Sequence, residues 1–333
     1  MLSCEQTAVN PAGFRAPGAE AGFQARLAHS PPGPHALEGG GRVNDGVAAV
    51  NERDPGRASE READRAFARA PDGAGKEGDD LLAMGVRRYL PGTTLTFPQD
   101  AYARIEHPSF TAGRSRAGAL AALLGDDAHD AGNDFANNAA IESQGVPGDG
   151  PLLFLDIESL GFVGRPVFLI GALTIAPCPA ERDGENARGR LVQYLARDYS
   201  EEEAMLAAFF EEGRACPAWV SFNGRTFDVP SLLLRGTLHR LQAPSPARHL
   251  DLLPVARRLW GARLPDCRLQ TLEHHICGRP RGDDIAGADI PAAYHDFVRH
   301  GDPWEVLRIL HHNAADLVSL WRIYREACAQ ADA

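Results

Sequence analysis

The sequence is short of lysine, of long apolar runs and of paired cysteines, and each shortage removes a class of protein. Lys76 is the only lysine among 34 basic residues, which stand against 45 acidic ones and leave a net charge of −11. Such a chain does not coat nucleic acid through a broad basic surface. It is compatible with an enzyme that grips one nucleic-acid end through cations held by carboxylates, because that kind of site is itself acidic. No run approaches the ~18 consecutive apolar residues of a membrane helix, so no helical membrane span is expected. The six cysteines, Cys4, Cys178, Cys216, Cys267, Cys277 and Cys328, include no Cys-x-x-Cys pair. Reduced thiols are the expectation, and with no basic and apolar leader after Met1 the expected location is cytoplasmic.

Aromatic residues are also scarce at the start. Residues 1–80 hold only Phe14, Phe23 and Phe67, while 35 of the 80 are Ala, Gly or Pro. No apolar period persists there, so too little surface can be buried to offset chain entropy, and a long disordered N-terminal extension is predicted. Residues 81–146 read as a short flank and linker outside the core. In that flank, Thr93 to Phe97 has the pattern of a short edge strand.

From residue 147 to 330 the texture becomes that of a folded domain. Leu152-Leu153-Phe154-Leu155-Asp156, Val167 to Thr174, Leu191 to Leu195 and Ala218 to Phe222 are apolar runs of strand length. Ser200 with Glu203 three residues on has the form of a capping box, ahead of Met205, Leu206, Phe209 and Phe210 at helical spacing. Further helices are predicted at 229–241, 252–260, 269–276, 291–299 and 303–327. The order of strands and helices predicts an α/β domain on a mixed sheet.

Three elements carry chemistry. Asp156-Ile157-Glu158 closes the first strand, and residues i and i+2 of a strand project from one face. Two carboxylates so placed repel unless a cation stands between them, and hard oxygen ligands favour Mg²⁺ or Mn²⁺. A solvated strand end accounts for the same pattern. The second element is Ser221 to Pro230, where a strand ends in Asn223-Gly224 and Asp228 stands at the start of a helix. Asp228 is a candidate ligand, and equally a helix N-cap. The third is His312-Asn313-Ala314-Ala315-Asp316 inside the last helix, where His312 and Asp316 share a face. At 100° per residue, His311 lies about 140° from Asp316 and His312 about 40°. Arg225 lies near a helix N-terminus and is a candidate phosphate contact. Asp251 reads as a structural hydrogen-bond acceptor, and Asp283-Asp284 as a loop at the cleft rim.

Taken in this order, the elements resemble the DEDD 3′–5′ exonuclease superfamily. Asp156 and Glu158 match its first motif, Asp228 the second and Asp316 the third. Within it the chain is most similar to the YprB-type ribonuclease H-like domain. That likeness rests on Leu155 to Glu158, Phe168 to Gly171, Phe222 to Pro230 and His249 to Leu253. It continues through Arg257 to Trp260, Leu264 to Leu269, Ile290 to Tyr294 and His312 to Asp316. It spans roughly residues 151–327.

The resemblance implies a mixed five-stranded sheet with helices on both faces, and a nuclease acting on nucleic acid with a 3′ end. It implies two ions, Mg²⁺ or Mn²⁺, held by Asp156, Glu158, Asp228 and Asp316, with a His or Tyr ahead of the last Asp as general base. His312 has the spacing of the Tyr subtype and His311 that of the His subtype; helix geometry favours His312. Asn223 and Arg225 are the expected substrate contacts. A silent nucleic-acid-binding module and a structure-selective endonuclease are the alternatives on this fold. Protein partners are not legible.

Overall fold

The computed structural model describes residues 76–113, 150–177, 187–278, 282 and 284–331. The expectations for residues 1–75 and for the linker at 114–149 lie outside the described residues. So does Asp283 of the rim loop.

Eight strands form one sheet: β1 (Thr94–Thr96), β2 (Ala103–Glu106), β3 (Phe110–Gly113), β4 (Leu152–Ser159), β5 (Val167–Pro177), β6 (Ala187–Leu195), β7 (Ala218–Ser221) and β8 (Arg248–Asp251). Their order is β1-β2-β6-β5-β4-β7-β8, with β3 also paired to β6. The helices among the described residues are α1 (Lys76–Tyr89), α2 (Glu202–Arg214), α3 (Asp228–Leu238), α4 (Leu252–Trp260), α5 (Leu269–His275), α6 (Ile290–His300) and α7 (Trp304–Ala331). β4, β5 and β6 form an antiparallel meander, and β7 and β8 add in parallel on the other side of β4. These five strands are the mixed sheet expected for the ribonuclease H-like fold. β4 is where the sheet changes from antiparallel to parallel. The C-terminal ends of β4, β7 and β8 therefore open on one edge, the position at which mixed α/β sheets place their sites.

Residues 76–113 depart from expectation. They are expected partly in the extension and partly in a flank outside the core that holds one short edge strand, found as β1, yet they supply α1 and two further strands as well. β2 pairs with β6 from Ala103↔Leu195 to Glu106↔Val192, and Leu82, Val86, Leu90, Ala103 and Ile105 are buried in the main apolar cluster. Composition misled because the apolar positions are few and widely spaced. They pack only because β6 offers an open edge that a partner strand must cover. A buried Arg197 fastens the segment, donating to Asp79 (2.7 Å), Asp100 and Glu201 and lying over the Phe97 ring.

The cap of α2 also differs. Asp198, not Ser200, accepts the backbone N–H of Ser200 (2.8 Å) and takes its hydroxyl as well, heading a 3-10 turn that runs into the helix. Ser200 donates its hydroxyl locally and is thereby lost as a cap.

α7 crosses the face of β4 that carries Leu152, Phe154, Asp156 and Glu158. Phe154 meets Trp321 and Tyr324 edge-on, with ring centroids 5.5 Å apart in both pairs. Two residues along the strand, Asp156 meets Asn313, and two further Glu158 meets His312. Helix and strand thus run in opposite directions, from an aromatic end to an acidic end. Among the described residues no helix is long and apolar enough to cross a membrane.

Candidate active site

The site is assembled at the open edge by three elements distant in sequence. Strand alternation sets Asp156 and Glu158 half-buried beneath α7, while Leu155 and Ile157 point into the opposite core. α7 supplies His312 and Asp316, one turn apart. The His312 Nε2 lies 3.6 Å from Asp316 Oδ2 and 4.0 Å from Glu158 Oε1.

Asp228 is the first residue of α3, but it does not cap it: no side-chain cap bond is made, and the N-cap position is Phe227. Its buried carboxyl turns toward β4. Burial first, and then the negative charge of Asp156, raise its pKa well above the ordinary carboxylate range; backbone N–H bonds, from Ile157 among others, act in the opposite direction. The turn before α3 makes this possible. Asn223 adopts a left-handed φ of 63°. Gly224 then passes so close to Ser221 and Asp228 that a Cβ there would strike the Ser221 hydroxyl and lie 3.3 Å from Asp228 Oδ2. Asp251 braces the turn, accepting from the backbone N–H of Asn223 (2.8 Å) and Arg225 (3.2 Å) while capping α4 through Leu253.

The two expected substrate contacts are placed differently. The exposed Arg225 guanidinium donates to the His249 carbonyl at 3.0 Å, on the β8 side of the edge. Asn223 is engaged locally, its Oδ1 accepting from the Thr226 hydroxyl at 3.0 Å. His249 is held beside them by Ser221, and burial pushes its imidazole down to about 4.

His311 and His312 separate as helix geometry requires. His312 faces the carboxylates. His311 is turned toward His107, whose protonation its charge opposes.

Three participants carried no chemical role in the sequence, although Asp284 was placed in the loop at the cleft rim. Asp284, in the loop before α6, accepts from His312 Nδ1 at 2.9 Å. Asn313 donates to Asp156 Oδ2 at 2.8 Å and to its carbonyl at 3.2 Å. Gln193 of β6 donates to Asn313 Oδ1 at 2.8 Å. Gln193 had one local signal, a lone amide in the otherwise apolar run Leu191 to Leu195. Gly171, isolated in the apolar run of β5, marked a close approach by another group. Asp284 had none.

The donor set suits hard divalent cations. All four candidate ligands are carboxylates, and two of them, Asp156 and Asp228, face each other where burial makes their repulsion costly. Among the described residues no group of three His, Cys, Asp or Glu side chains stands close enough to hold a metal ion. The acids are divided instead, with Glu158, Asp284 and Asp316 about His312 and Asp156 against Asp228.

Comparison with known proteins follows the geometry. The RNase_H superfamily profile RNase_H_2 matches residues 153–328, more than half of the chain, and the chain belongs to that superfamily. The chain is also similar to the uncharacterized protein YprB of Bacillus subtilis (strain 168), 31% identical over 178 residues. The matched segment is a YprB-type ribonuclease H-like domain. It amounts to 52% of this chain and 41% of that protein, so less than half of the relative's length is represented. Among solved structures, similarity extends to the family B DNA polymerase of the archaeon Pyrobaculum calidifontis. That match is 17% identical with a TM-score of 0.40, covering 55% of this chain and 25% of the polymerase. It extends also to E. coli Exonuclease I in complex with a dT13 oligonucleotide, at 16% identity and TM-score 0.33, covering 53% and 40% of the two chains.

Proposed function

We propose that this ribonuclease H-like domain, a nuclease in general class, is a metal-dependent 3′–5′ exonuclease of the DEDD type that hydrolyses phosphodiester bonds of nucleic acid by a two-metal mechanism. The observation that carries the reading is the meeting of Asp156, Glu158, Asp228, His312 and Asp316 at one sheet edge from three separate elements. In this reading Asp156, Glu158, Asp228 and Asp316 would hold the ions, Asp156 contributing to both, Glu158 and Asp316 to one and Asp228 to the other. When bound, Mg²⁺ or Mn²⁺ ions neutralise these acids and stabilise charge on the phosphate and the leaving 3′ oxygen.

The remaining work falls to side chains. Asp284 accepts the Nδ1–H of His312, which turns Nε2 toward the carboxylate side, where it would take a proton from the attacking water. Arg225, exposed at the edge, suits a substrate phosphate, and Asn223 shapes the turn beneath it.

The test is product sizing with Mn²⁺ on single-stranded DNA and RNA carrying a 5′ label. A ladder shortening stepwise from the 3′ end is expected. Internal cuts from the first time point, or intact substrate, would overturn the reading.

A further inference from the structure

Asp156, Gly171 and Gln193 lie in one row across three strands, since Asp156 pairs with Gly171 and Gly171 with Gln193. The middle position has no side chain, and Asn313 descends from α7 into the space. A Cβ at Gly171 would collide with the Asn313 amide oxygen and stand 2.6 Å from Leu317. Asn313 thereby spans from Gln193 to Asp156. Gln193 and Asn313 are wholly buried and His107 is 4% exposed.

The hydrogen-bond directions in this row are determined. Burial pushes the His107 imidazole down to about 4, so it is neutral and carries one N–H. The Gln193 amide donates to Leu310 O and to Asn313 Oδ1, both at 2.8 Å, so its Oε1 is the acceptor facing His107 Nε2 at 2.9 Å. His107 is therefore the Nε2–H tautomer and donates. Asn313, its oxygen already engaged, presents only N–H to Asp156. From His107 to Gln193 to Asn313 to Asp156 each link donates to the next, toward the carboxylate, and successive polarised amides strengthen one another in a dry interior.

We propose that Asn313 is the positioning residue for Asp156, and that Gln193 and His107 orient Asn313. The row holds one carboxylate oxygen in place, so that Asp156 meets cations without losing side-chain freedom on binding. It also ties residues 76–113 to the site, because His107 follows β2. This inference rests on the metal reading above.

The experiment is Mn²⁺ titration by calorimetry of the full chain, alongside melting without metal. Asn313→Leu keeps the branched shape, at somewhat greater bulk, and removes the donor. Partners behind a metal ligand typically contribute about 10–100-fold in affinity, and Asn313→Leu is expected to weaken Mn²⁺ binding by about tenfold or more. Gln193→Met, which touches no ligand, is expected to weaken it in the same direction and by less. A packing role alone would lower melting and leave the affinity of the folded protein unchanged, and that result overturns the proposal. Should Asn313→Leu fail to fold, Gln193→Met decides: wild-type affinity in that variant overturns it equally. Absence of Mn²⁺ binding by the unaltered chain would overturn the metal reading itself, a distinguishable outcome.

Discussion

His312 and Asp316 stand one helical turn apart on α7 with Nε2 and Oδ2 separated by 3.6 Å, while the opposite edge of the imidazole rests on Asp284. The ring is thus held from behind and faces an acidic cleft in front. His311, its neighbour in sequence, takes no part in that arrangement.

Removing a general base typically costs ~10²–10⁴-fold in rate. His312→Ala is therefore expected to lose at least about a hundredfold in Mn²⁺-dependent cleavage, and His311→Ala less than about tenfold. Rates at saturating Mn²⁺ decide, and the reverse ranking moves the base to His311.

Asp284→Asn keeps the shape of the partner but removes its charge and lets the ring settle in either tautomer. Cleavage is expected to fall by about tenfold or more, the scale of a lost orienting partner. Mn²⁺ affinity should hold, because Asp284 stands behind the base. Equal losses in rate and in affinity would instead place Asp284 among the ligands.

Asp156→Asn removes one of two facing carboxylates. Without metal, melting should hold or rise as repulsion with the buried Asp228 is relieved. The upward shift on adding Mn²⁺ should vanish, since stabilisation by a ligand requires binding to the folded state. Retained Mn²⁺-dependent cleavage in this variant would falsify the two-metal assignment.

The buried His107 makes stability depend on pH. Its folded-state pKa of about 4 lies below the ordinary value of 6.5, so between these limits the unfolded chain takes up a proton that the folded chain refuses. The stability tied to this group is complete above about pH 6.5 and is lost as pH falls toward 4, by up to about 1.4 kcal/mol per pH unit. Melting curves at pH 7, 6 and 5 should show a shallower decline for His107→Gln than for the wild type.

Residues 76–113 bear on folding directly. A chain starting at residue 148 would leave the β6 edge bare and strip Arg197 of Asp79 and Asp100. It is expected to aggregate or to melt well below the full chain. Within the full chain, Ile105→Ala should cost about 2–5 kcal/mol, as buried large-to-small changes do. A soluble truncation with an unchanged melting temperature would show the segment to be dispensable.

What could be read from the sequence was whatever depends on short spacing. Asp156 and Glu158 share a face because strands alternate, and His312 but not His311 shares one with Asp316 because helices turn 100° per residue. Four strands of the central sheet were legible as apolar runs, while β8 was not, and the ribonuclease H-like fold was legible only through the resemblance of the motifs. Distance along the chain hid the rest. Asp284 meets His312 across 28 residues, Gln193 meets Asn313 across 120 and Asn313 meets Asp156 across 157. No local period records such pairings, since they arise only when α7 is laid across β4 and β6. The place of residues 76–113 was hidden for the same reason. Their sparse apolar residues cannot form a core alone, and they become structural only when the open edge of β6 gives them a surface to bury. Asp228 had two equal readings, N-cap or ligand. The structure removes the first, because the carboxyl makes no cap bond and turns toward Asp156 through space that Gly224 leaves open.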